Sequence, residues 1–264
     1  MPLVLGGVCG ATSAAFELNL TAPRATGMGG AGVALAGDAW AAQRNPALAA
    51  ATAPQAGLAW SQQFGLPELG RESVNVTEKT RDQPWAFNAA TFGSDLYRES
   101  RFSVAVAREL HPTVAVGAEA SGEWLQIQNY NQGRALAFAA GLLARPSEHL
   151  TVGAAWRNLN EPRISGYRDR ISESLTIGAA VEIGDEGVIA ADVTQETRFR
   201  AEYRVGAEAQ VLRTLWIRVG ARAEPVRPSA GIEIGVGRWH FLYAADLHPD
   251  LGASHELGLS VRFR

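Results

Sequence analysis

The chain has 264 residues, 47% of them hydrophobic, with 28 glycines, one cysteine and a formal net charge of −3. That apolar content excludes a disordered chain, and the weak negative balance gives a nucleic-acid partner no electrostatic footprint. No run reaches the roughly 18 to 20 continuous apolar residues of a membrane-spanning helix; the nearest, ALAFAAGLLA (135–144), is about half that length.

In chain order, the first element is MPLVLGGVCGATSAAF (1–16), an apolar run followed by small residues. Ser13 and Ala15 fit a small-x-small cleavage pattern before Phe16, so residues 1–15 read as a signal peptide that lacks the usual basic start. Cys9 falls within it, so the remaining chain offers neither a disulfide nor a thiolate metal site. Residues 16–54 follow. There Gly27, Gly29 and Gly32 satisfy G-x-G-x-x-G, a spacing that cradles pyrophosphate when an apolar strand precedes it and an acidic residue follows about 20 positions later. Neither condition holds: FELNLTAPRAT contains Pro23, Asp38 comes too early, and Glu68 too late. Gly27, Gly29, Gly30 and Gly32 read instead as slender backbone for a crowded interior. Asp38 is expected to cap a short helix over 39–43 that ends near Asn45 and Pro46.

From Gln55 onward the period is two. In TIGAAVEI, Ile177, Val181 and Ile183 oppose Thr176, Gly178, Ala180 and Glu182; in LWIRVGARA, Leu215, Ile217, Val219 and Ala221 oppose Trp216, Arg218, Gly220 and Arg222. Such alternation argues strand. Tight connections (RDQP, LHP, RPSEH, GDEG, LRT, GR) alternate with longer ones (GLPELGRE, GSDLYRES, GEWLQIQNYNQG, RNLNEPRISGYRDRISES). A membrane barrel has this alternation of short periplasmic turns and longer outer loops. The expected fold is an all-β, transmembrane antiparallel barrel of about 14 strands over 55–264, with 16–54 as a luminal plug containing a short helix. A soluble sandwich shares the strand pattern and stays open as an alternative. The first hairpin is the weakest element, since ESVNVTEKT (72–80) is polar enough to be loop. Trp60, Trp156, Trp239, Phe241 and Tyr243 fall near strand ends, where a barrel carries interfacial aromatics.

The face opposite the apolar one carries both charge signs: Glu182, Asp192, Glu202, Arg204, Glu208, Arg218, Arg222, Glu233, Asp246, Glu256 and Arg262. A polar conduit is one reading; a network of paired charges filling a closed barrel is the other, and mixed signs favour it. His111, His149, His240, His248 and His255 are scattered, and no nucleophile–base–orienter set can be named, so neither an enzyme nor a cofactor is expected.

The chain ends SHELGLSVRFR. Glu256, Gly258, Val261 and Phe263 occupy the positions of the terminal signal read by the barrel assembly machinery, with Arg264 one residue past the aromatic. Together with Gly27-Met28-Gly29-Gly30-Ala31-Gly32, Asp38-Ala39 and Asn45-Pro46-Ala47, the chain resembles PorV/PorQ-type outer-membrane barrels, which are related to FadL-type transporters. The resemblance implies a bacterial outer-membrane protein in contact with membrane lipid. It implies a non-enzymatic scaffold or secretion-associated component with secretion-system partners. The alternative is a transporter of hydrophobic small molecules with a hydrophobic ligand.

Overall fold

The protein is described from a computed structural model over residues 15–16, 22–130, 132–167, 170–197, 199–223 and 225–263. The proposed signal segment, Ala15 apart, lies outside the described residues, as does Arg264.

Two short helices open the described chain, α1 (Pro23–Gly27) and α2 (Ala41–Arg44), followed by a 3-10 turn, Pro46–Ala51. Fourteen strands then run in order: β1 (Gln55–Gln62), β2 (Gly70–Thr80), β3 (Gln83–Gly93), β4 (Tyr97–His111), β5 (Val114–Ile127), β6 (Gly133–Ser147), β7 (Leu150–Arg157), β8 (Ser174–Ile183), β9 (Gly187–Glu196), β10 (Glu202–Leu212), β11 (Leu215–Arg222), β12 (Arg227–Val236), β13 (Trp239–His248) and β14 (Gly252–Arg262). Each pairs antiparallel with its sequence neighbours, and β14 returns to β1 with Gln55 opposite Arg262 and Gln62 opposite His255. The sheet is a closed barrel, which leaves no unpaired edge.

Alternation decides which face is which. Along β9, Ala190, Asp192 and Thr194 are buried while Ile189 and Val193 are exposed. Along β11, Arg218 is 3% exposed and its neighbour Val219 is 56% exposed. The large apolar side chains, Leu58, Val104, Leu136, Ile177 and Phe241 among them, thus form the outer surface, and small or polar ones face in. A water-soluble sandwich would reverse this, because a contiguous apolar surface of this extent in water drives association. Trp60, Trp156, Trp239, Phe241 and Tyr243 all stand on the outer face.

Connections between strands are very short at one end of the barrel, with two or three residues between β2 and β3, β4 and β5, β6 and β7, β8 and β9, β10 and β11, and β12 and β13. At the other end the connection between β7 and β8 (158–173) is the longest. We call these the turn end and the loop end.

Three expectations need correction. ESVNVTEKT is not loop: it lies within β2, with Ser73, Asn75 and Thr77 buried inward and Val74 exposed outward. Its period is two, but its polar residues serve the inner face. GSDLYRES and GEWLQIQNYNQG are mostly strand, since only residues 94–96 separate β3 from β4 and only residues 128–132 separate β5 from β6. The helix expected over 39–43 is α2, Ala41–Arg44, and its N-cap is Trp40 rather than Asp38.

Candidate functional site

Inside the wall lies the N-terminal segment, residues 22–54. Its buried members include Met28, Ala31, Trp40, Ala41, Asn45, Ala47 and Leu48, all 0% exposed. It touches inward positions on opposite sides of the barrel: α1 lies against β11 to β14, and the 3-10 turn against β3 to β6.

Close approach is made possible by glycines on both partners. Gly29 and Gly30 have φ of 70° and 86°, a region that side chains disfavour. A Cβ on Gly29 would sit 2.5 Å from the backbone of Ala221, and one on Gly27 would sit 3.1 Å from the Cα of Gly231. On the wall, a side chain at Gly206 or Gly220 would overlap Met28. One at Gly153 would overlap Val33, one at Gly117 would overlap Pro46, and one at Gly141 would overlap the Asn45 side chain. A glycine inside a strand weakens it and marks a place where another backbone comes near. These wall glycines, unlike those of the segment, were not singled out in the sequence, although that strand rule was the signal available.

The irregular backbone of the segment must find partners for its polar groups. Gly29 N–H donates to Ser229 Oγ (2.8 Å), and Ser229 Oγ donates to the Gly27 carbonyl (3.2 Å). Asp192 accepts from the N–H groups of Gly32 (2.7 Å) and Val33 (2.9 Å) with one oxygen. Asn45 is fully employed: Nδ2 donates to the carbonyls of Val33 and Leu142, and Oδ1 accepts from Ala47 N–H (3.0 Å), capping the 3-10 turn that Pro46 begins. The Asn-Pro-Ala triplet is therefore a cap and a wall contact together. Thr26 Oγ1 donates to Glu256 (2.6 Å).

Charges link segment to wall. Arg24 donates to Glu208 from Nε (2.9 Å) and Nη2 (2.8 Å), and to the Ala36 carbonyl from Nη1 (2.7 Å). Glu208 also accepts from Arg218, which binds Glu233, which in turn meets His240 Nδ1 (2.7 Å). Asp38 does not cap a helix; it accepts from Trp40 N–H (3.0 Å) and pairs with Arg44 (2.5 Å). Arg44 spans back to the carbonyls of Gly32 (3.2 Å) and Leu35 (3.1 Å). Burial alone raises the Asp38 pKa, but Arg44 and then Arg24 outweigh it and hold the carboxyl below its ordinary value. Burial likewise opposes the Arg24 charge, and Glu208 and Asp38 outweigh it, so its pKa lies above the ordinary arginine value.

The expected luminal residues divide. Glu208, Arg218 and Glu233 join in one chain, and Arg222 shares Asp246 with Arg227. Arg204 pairs with Glu202. Glu256 is bound to the segment through Thr26 rather than to an arginine of the network. Arg262, at the turn end, is exposed and, among the described residues, in no ion pair. Within the terminal signal positions, Gly258 lies against Pro23 and Trp40, Val261 faces outward, and the Phe263 N–H donates to the Pro54 carbonyl (2.9 Å). A second network went unread in the sequence: Arg101 bridges Glu119 (2.5 Å) and Glu123 (3.0 Å), and Arg157 lies 3.7 Å from Glu119.

Two kinds of space remain. A cavity of about 310 Å³ sits at the loop end, bordered by Arg157, Arg204, Arg222, Arg227, Phe64 and Leu251. A groove of about 610 Å³ lies on the outer wall over β13, β14 and β1 to β4, lined by Leu58, Trp60, Val74, Ala89, Phe102, Phe241 and Leu257. Behind it, on the inner side, Ala22, Ala25, Ala39, Trp40, Ala59 and Leu242 form an apolar cluster. Among the described residues no group of three histidine, cysteine or acidic side chains is placed to hold a metal ion.

The fold of this closed 14-stranded antiparallel barrel is similar to that of several solved hydrocarbon transporters and channels and of a FadL homologue. The chain is similar to the toluene transporter TbuX of Ralstonia pickettii, at a TM-score of 0.71 and 13% identity, over 94% of this chain and 100% of that one. It is similar to the monoaromatic hydrocarbon channel CymD (TM-score 0.71, 14% identity, 95% and 99% covered) and to a Pseudomonas aeruginosa FadL homologue (0.66, 11%, 92% and 98%). No family model matches the chain, and neither does any curated protein sequence. Of these neighbours, TbuX is described as a transporter and CymD as a channel.

Proposed function

We propose that this chain is a bacterial outer-membrane channel for small hydrophobic molecules, with residues 22–54 as its luminal plug. One observation carries the reading: where β13, β14 and β1 meet, a patch of wall at Ala59, Leu242 and Gly258 is apolar on both faces. The outer groove backs onto the inner cluster around Trp40, and the wall between them carries Gly57 and Gly258. A hydrophobic molecule gains by leaving water for either surface. The ladder there is continuous from Gln55 to Gln62 on both sides, so passage requires a local opening. The loop end then faces outward and the turn end faces the periplasm, as in membrane barrels generally. In this setting β14 is the element that the barrel assembly machinery reads, and lipid covers the outer band. The scaffold or secretion role, drawn from the PorV/PorQ resemblance, is less well supported than the channel.

Uptake of toluene by cells tests the proposal. An outer membrane otherwise lacking such channels should take it up faster when this chain is expressed. Ala89→Trp fills the groove from the membrane side without touching the lumen and should reduce the gain. Uptake equal to that of the empty membrane would overturn the reading.

A further inference from the structure

The outer groove has a polar end, and strand register locates it. The outward row nearer the loop end runs Tyr243, Leu257, Trp60, Glu72 and Thr91 from β13 to β3, each directly opposite the next. Through Ser100 the same row reaches Trp124 on β5. The row two residues nearer the turn end runs Phe241, Leu259, Leu58, Val74, Ala89 and Phe102. Tyr243, Trp60 and Trp124 are aromatic side chains with a polar tip, the kind that sits at a membrane–water interface. The second row is wholly apolar and lies a step deeper in the bilayer. Glu72 and Thr91 therefore form the interfacial end of a groove whose remaining length faces hydrocarbon.

Both polar side chains reach the groove surface. Glu72 is exposed between the buried Arg71 and Ser73, and Thr91 is exposed as well. Among the described residues neither side chain is in a hydrogen bond or an ion pair. A carboxylate only accepts hydrogen bonds, and a positively charged donor makes the strongest ones. Its charge also repels a carboxylate or phosphate head group. The Thr91 hydroxyl, directly opposite Glu72, offers a second acceptor. We propose that this groove binds a small amphipathic amine. Its ammonium group donates to Glu72 and Thr91, and its apolar body lies along Val74 and Ala89, between Leu58 and Phe241 on one side and Phe102 on the other. The volume of about 610 Å³ is in the middle of the roughly 300–1,000 Å³ range of small-molecule sites. The inference rests on the membrane setting of the channel reading and names the class of molecule that its outer groove favours.

Purified barrel in a non-ionic detergent, titrated at neutral pH with phenethylamine, hydrocinnamate and propylbenzene against a detergent blank, provides the test. Phenethylamine should bind saturably and more tightly than the other two. Glu72→Gln should weaken it about tenfold or more, and Thr91→Val by less, while heat-modifiable migration on gels shows both variants folded. Glu72→Lys should reverse the preference, so that hydrocinnamate binds and the amine is lost. Unchanged amine affinity in Glu72→Gln would overturn the proposal, as would hydrocinnamate or propylbenzene binding the parent as tightly as the amine. Phosphatidylethanolamine displacing the amine at equal concentration would also overturn it, by giving the groove to a lipid head group. Toluene uptake with no amine binding sinks this site alone. Amine binding without toluene uptake sinks the channel reading and leaves the site standing.

Discussion

The two sides of the lumen receive the N-terminal segment differently. Toward β9–β12 backbone approaches backbone: Gly27 meets Gly231, Gly29 meets Ala221, Met28 fills the space left by Gly206 and Gly220, and polar links run through Ser229 and Asp192. Toward β3–β6 it is methyl against methyl, with Ala42, Ala47 and Ala49 packed on Ala86, Ala105, Ala107 and Ala115. Glycine reappears there, at Gly117 and Gly141, where the chain bends through Asn45, Pro46 and Ala47. The cause lies in the backbone. A helix or 3-10 turn satisfies most of its own polar groups and can rest on apolar neighbours. An irregular stretch must come close enough to borrow partners from the wall.

The largest effect should come from closing the glycine side. Gly220→Val places its side chain on the Met28 carbonyl, an obstacle made of backbone that cannot rotate away. The cost should exceed the roughly 1–3 kcal/mol of ordinary overpacking, and limited proteolysis should find the segment cleavable where the parent is protected.

Next is the joint between the two sides. Asp38→Asn leaves Arg44 buried without its counter-charge, a loss of about 3–5 kcal/mol for a broken buried pair, read as a lower denaturant midpoint. The pH response of the parent has a definite sign. Because Asp38 is held below its ordinary value of 3.8, its pairing stabilises the folded state fully above that pH. That contribution fades as pH falls through the depressed value, so protease protection of the segment should persist to 3.8 and decline below it. A decline beginning near neutrality would contradict the assignment.

On the alanine side the effect should be smallest. Ala105→Leu adds bulk among methyls and costs about 1–3 kcal/mol by ordinary overpacking. Equal damage from Gly220→Val and Ala105→Leu would abolish the distinction between the two sides.

Much of the barrel was legible in the sequence, because its alternation and its Gly- and Pro-marked turns are local signals. β2 escaped because Ser73, Asn75 and Thr77 make a polar inner face with few apolar residues to reveal the period. The segment's glycines were legible as slimness, but Gly206 and Gly220 look like ordinary small residues until Met28 is seen against them. Asp38 was read as a cap because capping is a local relation. Its partners Arg44 and Arg24 are set by the path of the segment through the lumen. The cluster of Arg101, Glu119, Glu123 and Arg157 spans β4 to β7, and no spacing within one strand announces it.

The seam between β1 and β14 joins the first and last strands of the barrel, with Gln55 opposite Arg262 and Phe263 hydrogen-bonded to Pro54. Of all the strand pairings it spans the most sequence, so its loop-closure entropy is the largest and it is expected to form last. The segment buried in the lumen is covalently continuous with β1 at that seam. Its entry therefore has two routes: it is enclosed as the last ladder zips, or it passes in through an end of the cylinder. The closed wall leaves the same two routes for release, reopening that ladder or withdrawal through an end of the cylinder.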